Sequence, residues 1–201
     1  MGKENSPVTT EAIYAAPVAN AAQLRAAFNR SLSSSSINPI AAGNQAMLAR
    51  KKRAILYKNG YTIPGKAVAL LAAEARSSIR HSSKLGGNIR KASPGTKRPS
   101  ETDAHHIVAA QASGTAVART LIFAVGIGIN DRDNGVILPR YMTTKIATMP
   151  NASPHQHIHT ALYYANVTDE LLDADDRLDE QEMRGILRSI ASRLVQGQFV
   201  Y

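Results

Sequence analysis

Five of the chain's six histidines fall within residues 103–160, spaced around Asp103-Ala104-His105-His106, Asn134-Gly135 and His155-x-His157-x-His159. If residues 105 and 106 lie on a strand, their side chains point to opposite faces, and only one of them can share a cation with the later histidines. The other is free to act as a base. If residues 155–159 are helical, His155 and His159 share a face and can put two ring nitrogens on one ion, whereas His157 is turned by about 200°. The spacing therefore asks for a strand and a helix meeting at a metal, with positions left open for water and phosphate. Asn134, in a turn before Gly135, can hold the loop or the base by side-chain hydrogen bonds. A phosphodiester is hydrolysed at neutral pH when a divalent cation neutralises phosphate charge and a neighbouring imidazole activates water. The pattern reads as a one-metal nuclease.

Composition narrows the partners. No cysteine occurs, so imidazole, carboxylate and carbonyl are the available ligands. One divalent ion is expected, and three imidazoles suit Zn²⁺, Ni²⁺ or Mn²⁺ better than Mg²⁺, which prefers oxygen. The net charge of +9 is uneven: residues 51–100 hold twelve Lys or Arg against the single acid Glu74, while residues 151–201 hold four basic and eight acidic residues. A polyanion is the matching partner. Lys51, Lys52, Arg53, Arg90, Lys91, Lys97 and Arg98 are the candidate nucleic-acid contacts, with Arg119 further along. Such a charge run also occurs as a solvated helical face or a basic linker. The longest apolar run, Leu121 to Ile129, is interrupted by Gly126 and Gly128 and is far short of a membrane span; the polar start Met1–Ser6 is no secretory signal. A soluble protein without a membrane partner is expected.

Along the chain, residues 1–9 look disordered and Glu11–Leu32 helical, up to the break Ser33–Ser36. Further helices are expected over Gln45–Tyr57, ending at Asn59-Gly60, and over Gly65–His81, burying Leu70, Leu71 and Ile79. Ser82–Ser100, rich in Gly, Ser, Pro and Lys, reads as a long basic loop. Ala104–Ala109 and Val136–Pro139 are strand candidates, and Thr115–Ala124 is a short helix with Arg119 exposed. Ser153-Pro154-His155-Gln156 has the form of a helix start, with Ser153 as N-cap and Gln156 closing a capping box. A last amphipathic helix is expected from Asp175 or Asp176 to about Gln196.

The three motifs in order, Ala104-His105-His106-Ile107-Val108, Gly126-Ile127-x-Ile129-Asn130 with Asn134-Gly135-Val136-x-Leu138-Pro139, and His155-x-x-x-His159-x-x-x-Tyr163, resemble the HNH/endonuclease VII superfamily of ββα-metal nucleases, in particular its AHH toxin-nuclease family. The resemblance runs from about Leu85 to Val167. It implies an α+β protein with a small ββα-metal core at residues 100–168; the helical patterns on either side make the chain mostly helical, with a basic helical region at 1–99 and a C-terminal helix at 169–201 expected to pack on the core. It makes His105, His155 and His159 metal ligands, His106 the general base and Asn134 the motif asparagine of the catalytic centre. The implied activity is cleavage of DNA, or alternatively RNA, by a secreted antibacterial effector. Such an effector acts in the cytoplasm of a target cell, is neutralised by an immunity protein and is carried by a secretion system.

Two other classes compete. A histidine-bound metal can staple a non-catalytic nucleic-acid-binding module; the pair His105-His106 argues against it, because a structural site needs no base. A metallohydrolase of other phosphoesters or peptides is the other, disfavoured by the absence of His-Glu-x-x-His and by the basic charge beside the site.

Overall fold

The computed structural model describes residues 57–173 and 179–201. The expected disordered start, the helix over Glu11–Leu32, nearly all of the helix over Gln45–Tyr57, and Lys51, Lys52 and Arg53 lie outside the described residues. Tyr57, expected to end that helix, instead opens β1 (Tyr57–Lys58), which pairs antiparallel with β2 (Tyr61–Thr62). Asn59 and Gly60 both have positive φ, 51° and 89°, the two-residue turn that Asn-Gly favours in a hairpin. Gly60 is required twice over, since a Cβ there would lie 2.2 Å from the Asn88 carbonyl oxygen.

Helix α1 (Val68–Ala75) is shorter than its apolar pattern suggests. The Ser77 N–H and hydroxyl both bond to the Glu74 carbonyl, at 2.9 and 2.6 Å, and end it. Leu71 is buried as expected; Ile79, beyond the stop, is 40% exposed. The next segment overturns its reading as a loop. His81–Ala92 is helix α2, despite two glycines and two serines in its sequence. Its stability comes from tertiary contacts: Leu85 is fully buried, and the Asn88 amide donates to the Asn130 carbonyl at 2.7 Å. A Cβ on Gly135 would sit 2.6 Å from Leu85, so glycine opens the strand there because Leu85 occupies the space.

Strands β3 (Thr102–His106) and β4 (Gly135–Pro139) form an antiparallel pair in which His105 faces Val136 and His106 faces Gly135. β3 ends earlier than the expected Ala109. Beyond His106 the pairing passes to Asn134, whose carbonyl accepts from the Ile107 N–H (3.0 Å) and whose side-chain oxygen accepts from the Val108 N–H (2.8 Å). Between the strands run α3 (Ala116–Ala124), entered through a 3₁₀ turn at Ser113–Thr115, and a loop whose residues Ile127 to Asp131 are all buried. Buried carboxylates need partners. Arg184 supplies them, its guanidinium reaching Asp131 at 3.0 Å and Asp133 at 2.9 Å.

The helix start expected at Ser153 is also overturned. Residues His155–His157 form one 3₁₀ turn, and the α-helix, α4 (Ala161–Leu172), begins after Thr160, whose hydroxyl accepts from the Tyr163 N–H. Ser153 caps no helix at 154: it is buried, its hydroxyl receives no backbone N–H, and its own N–H is donated to the Leu194 carbonyl at 2.9 Å. Leu194 belongs to α5 (Glu180–Gln196), capped by the Asp179 carboxylate and closed by Gly197 in the left-handed conformation. The expected start at Asp175 or Asp176 falls outside the described residues. α2 packs on the face of the β3–β4 pair that carries His106 and Gly135, α4 brings Tyr163 to the opposite face at His105, and α5 packs along β4. The described residues are α+β, with five α-helices and two small sheets, and no helix among them is long and apolar enough to cross a membrane.

Candidate metal and active centre

His105 lies on the face of β3 turned toward α4 and is fully buried. Its Nε2 is 2.8 Å from the Tyr163 hydroxyl, which donates its own proton to the Ile107 carbonyl at 3.1 Å. The hydroxyl therefore accepts from His105, Nε2 carries the ring proton, and the lone pair is on Nδ1. That Nδ1 is buried with no protein hydrogen-bond partner. Around it stand His155 and His159, with ring centroids 5.3 and 5.0 Å from that of His105 and 5.2 Å from each other. One nitrogen from each of the three rings falls within 4.8 Å of the others.

Bringing three imidazoles together is favourable only when they are neutral. Burial pushes His105 well below the ordinary imidazole range, and the neighbouring imidazoles push it further. Burial also lowers His155 and His159. Neutral rings are the ligand form, the donor set suits a borderline divalent ion, and an orphaned Nδ1 aimed at no protein atom is what such an ion would satisfy. The residues fit a metal. Asp103, on the same face of β3 as His105, lies 3.8 Å from His155 Nδ1 and is held by Arg140 at 3.1 Å and by Arg98 at 3.5 Å. His159 Nδ1 is 3.0 Å from the Tyr164 hydroxyl. His157 is exposed and pairs with Gln156.

His106 points to the other face of β3, as alternation along a strand requires. Its Nε2 is 3.1 Å from the Asn130 side-chain oxygen. Burial holds its pKa down at about 4, against the raising effect of that hydrogen bond, so the ring is neutral at pH 7. His81 meets it edge-on at 6.2 Å.

Asn134 is fully buried and spends its side chain on the backbone: the oxygen on Val108 N–H, the nitrogen on the Val108 and Ile129 carbonyls at 3.1 and 2.8 Å. It holds the loop; Asn130 is the asparagine that meets His106. Arg119, expected exposed, is half-buried, and its Nη1 is bonded to the Ala109 and Ala112 carbonyls and the Thr115 hydroxyl. Arg90, Lys97 and Arg98 line a groove of about 900 Å³ between α2, β4 and α5, joined there by Arg132 and Arg188, with no carboxylate among the lining residues. Lys91 is exposed on α2 outside that groove.

The model of a nuclease family of the HNH/ENDO VII superfamily with conserved AHH matches residues 87–194, more than half of the chain. The chain belongs to the AHH family. No curated protein and no solved structure matches it significantly. The Ala104-His105-His106 triplet of this AHH nuclease is the observed β3 terminus, and the matched span reaches Leu194, so α5 lies within the AHH match rather than beyond it, where the sequence resemblance stopped. The ββα-metal core of the superfamily corresponds to β3, β4 and the segment carrying His155 and His159.

Sequence reasoning missed several residues of this AHH centre. Tyr163 stands in the third motif without an assigned role; a hydroxyl on a buried ring is the sign that it serves a polar partner. Asp103 adjoined the triplet, and period two along β3 places it beside His105. Asn130 stands in the second motif without an assigned role, and nothing local ties Tyr57 or Glu74 to the centre.

Proposed function

We propose that this AHH nuclease is an HNH-type, metal-dependent endonuclease that hydrolyses phosphodiester bonds of DNA. The observation that carries the reading is the separation of roles across β3: three neutral imidazoles with an orphaned Nδ1 on one face, and a neutral, anchored His106 on the other. His105, His155 and His159 hold the divalent ion, with Zn²⁺, Ni²⁺ or Mn²⁺ favoured over Mg²⁺ by the all-nitrogen donor set. When bound, the ion supplies charge neutralisation at the phosphate. His106 takes the proton of the attacking water, a task that suits a ring neutral at pH 7 and not committed to the metal cluster. Asn134 supports this centre by holding the loop, and the groove arginines and lysines position the phosphate backbone. In this reading residues 100–168 are the catalytic core, 1–99 a basic N-terminal region, and 169–201 a brace. RNA is the alternative substrate, because backbone contacts alone do not select the sugar.

The test is cleavage of plasmid DNA and of a structured RNA with each of the four metals. His106→Ala is expected to keep metal affinity and lose cleavage by a factor on the order of 10²–10⁴, whereas His105→Ala loses both. Metal loss in His106→Ala with retention in His105→Ala would reverse the roles; undiminished cleavage by both would move the active site elsewhere. A metal-binding protein that holds DNA without cutting it is the outcome the structural-metal reading requires.

The biological reading is an antibacterial effector, delivered by a secretion system and held in check in its producer by an acidic immunity protein that covers the basic groove. Expression of the wild-type chain alone in a bacterial cytoplasm is then toxic and His106→Ala is not. Healthy high-level expression with an intact chromosome would refute the toxin role.

A further inference from the structure

Behind His106 lies a buried polar chain that the catalytic reading does not use. Glu74, on α1 and 1% exposed, receives the Tyr57 hydroxyl at 2.6 Å on one oxygen and the Lys84 ammonium at 2.5 Å on the other. The second oxygen also receives the Asn130 side-chain nitrogen at 3.2 Å. Asn130 is clamped by its backbone as well: its N–H meets the Tyr57 hydroxyl at 3.0 Å and its carbonyl accepts from Asn88. His81 Nε2 lies 3.2 Å from the Ser77 carbonyl, and its Nδ1 faces the end of the Asn130 amide, 3.1 Å from the nitrogen and 3.2 Å from the oxygen.

The donor and acceptor assignments in this chain follow one from another. An ionised carboxylate beside an ammonium only accepts, so the Asn130 edge facing Glu74 must be the NH₂. A backbone carbonyl also only accepts, so His81 carries its proton on Nε2, and its Nδ1 accepts the second proton of the same NH₂. An unprotonated His81 Nδ1 cannot donate to the Asn130 oxygen beside it, so the proton that this oxygen accepts comes from His106, 3.1 Å away. We propose that Glu74, acting through Asn130, fixes His106 as the Nε2–H tautomer and leaves Nδ1 as the atom that accepts a proton. Glu74 and Asn130 are positioning residues, and the proposal rests on the reading of His106 as the base. Glu74 lies outside the span matched by the AHH family.

The test reads the tautomer directly, from long-range ¹⁵N–¹H correlation spectra of the full-length zinc-loaded protein at about pH 7.5, with His106 assigned by difference against His106→Gln. The wild type is expected to show Nε2–H. In Glu74→Gln the new amide can donate to the Asn130 oxygen, Asn130 can turn its NH₂ toward His106, and Nδ1–H is expected to appear. Adding Asn130→Asp to Glu74→Gln restores an acceptor facing His106 and with it the Nε2–H signal, a rescue that a merely structural role would not produce. For cleavage, Glu74→Gln lowers kcat by about 10–100-fold with KM unchanged, as for loss of an orienting partner. An Nδ1–H signal in the wild type, which needs no substitution to observe, or an unchanged tautomer in Glu74→Gln, would overturn the proposal. Undiminished cleavage by His106→Ala would instead overturn the base reading and leave the tautomer assignment standing.

Discussion

The Tyr163 hydroxyl bridges His105 Nε2, 2.8 Å away, and the Ile107 carbonyl, 3.1 Å away, so a residue of α4 decides which nitrogen of a β3 histidine is free. Tyr163→Phe removes that decision without removing a ligand. Zinc affinity is expected to fall about 10–100-fold, the usual effect of losing a ligand's orienting partner. Leaving His105 Nε2 unpaired in the core costs about 1–3 kcal/mol of stability. Titration calorimetry and chemical denaturation measure the two; full zinc affinity in the variant would remove Tyr163 from the metal centre.

The three histidines of the 155–159 segment are expected to separate sharply. His159→Ala and His155→Ala lose zinc binding, because each contributes one nitrogen to the cluster. His157→Ala changes it little, because His157 is exposed and bonded to Gln156. A calorimetric ranking with His157→Ala as the most damaging would contradict the observed turn.

Arg184 joins α5 to the buried loop through Asp131 and Asp133, and it also bonds Glu180 at 2.9 Å. Burial works against its charge, but its hydrogen bonds and ion pairs with these acids outweigh burial and hold it protonated. Arg184→Met strands two carboxylates in the core. The expected loss is about 3–5 kcal/mol, the range for breaking a buried pair from one side. A denaturant midpoint within error of wild type would show that water reaches these acids.

The groove charges make a graded prediction. If Arg90, Lys97 and Arg188 contact phosphate, replacing each by Gln lowers the slope of log affinity against log salt by about 0.9 on duplex DNA. Binding isotherms at several salt concentrations give the slope for single, double and triple variants. A slope unmoved by the triple variant would return this charge to a solvated surface.

Local pattern was enough for much of the core. A short apolar run and the closing proline marked β4, the Ala104-His105-His106 triplet marked β3 to within a few residues, and opposite faces for the adjacent histidines followed from the pleat alone. The end of α5 near Gln196 was legible because its apolar stripe ends before a glycine in the left-handed conformation. The histidines of the centre were legible for the same reason: few other residue types could serve a cation in a chain without cysteine.

The readings that failed depended on distant partners. His81–Ala92 has the composition of a loop, and it is a helix because Leu85 fills the space over Gly135 and Asn88 ties to Asn130. Ser153 has the form of an N-cap, but its buried hydroxyl receives no backbone N–H; its own N–H ties the segment to Leu194, some forty residues on, and Thr160 starts the helix instead. His155 and His159 converge through a 3₁₀ turn rather than along one helical face, so their spacing suggested the cluster by a route the chain does not take. Residue type and spacing thus determined which chemistry this chain can carry, since ligand and base character belong to the side chains themselves. The tertiary structure decided which nitrogen of His105 is free and which asparagine meets His106, because those depend on hydrogen-bond partners brought in by α4 and the buried loop.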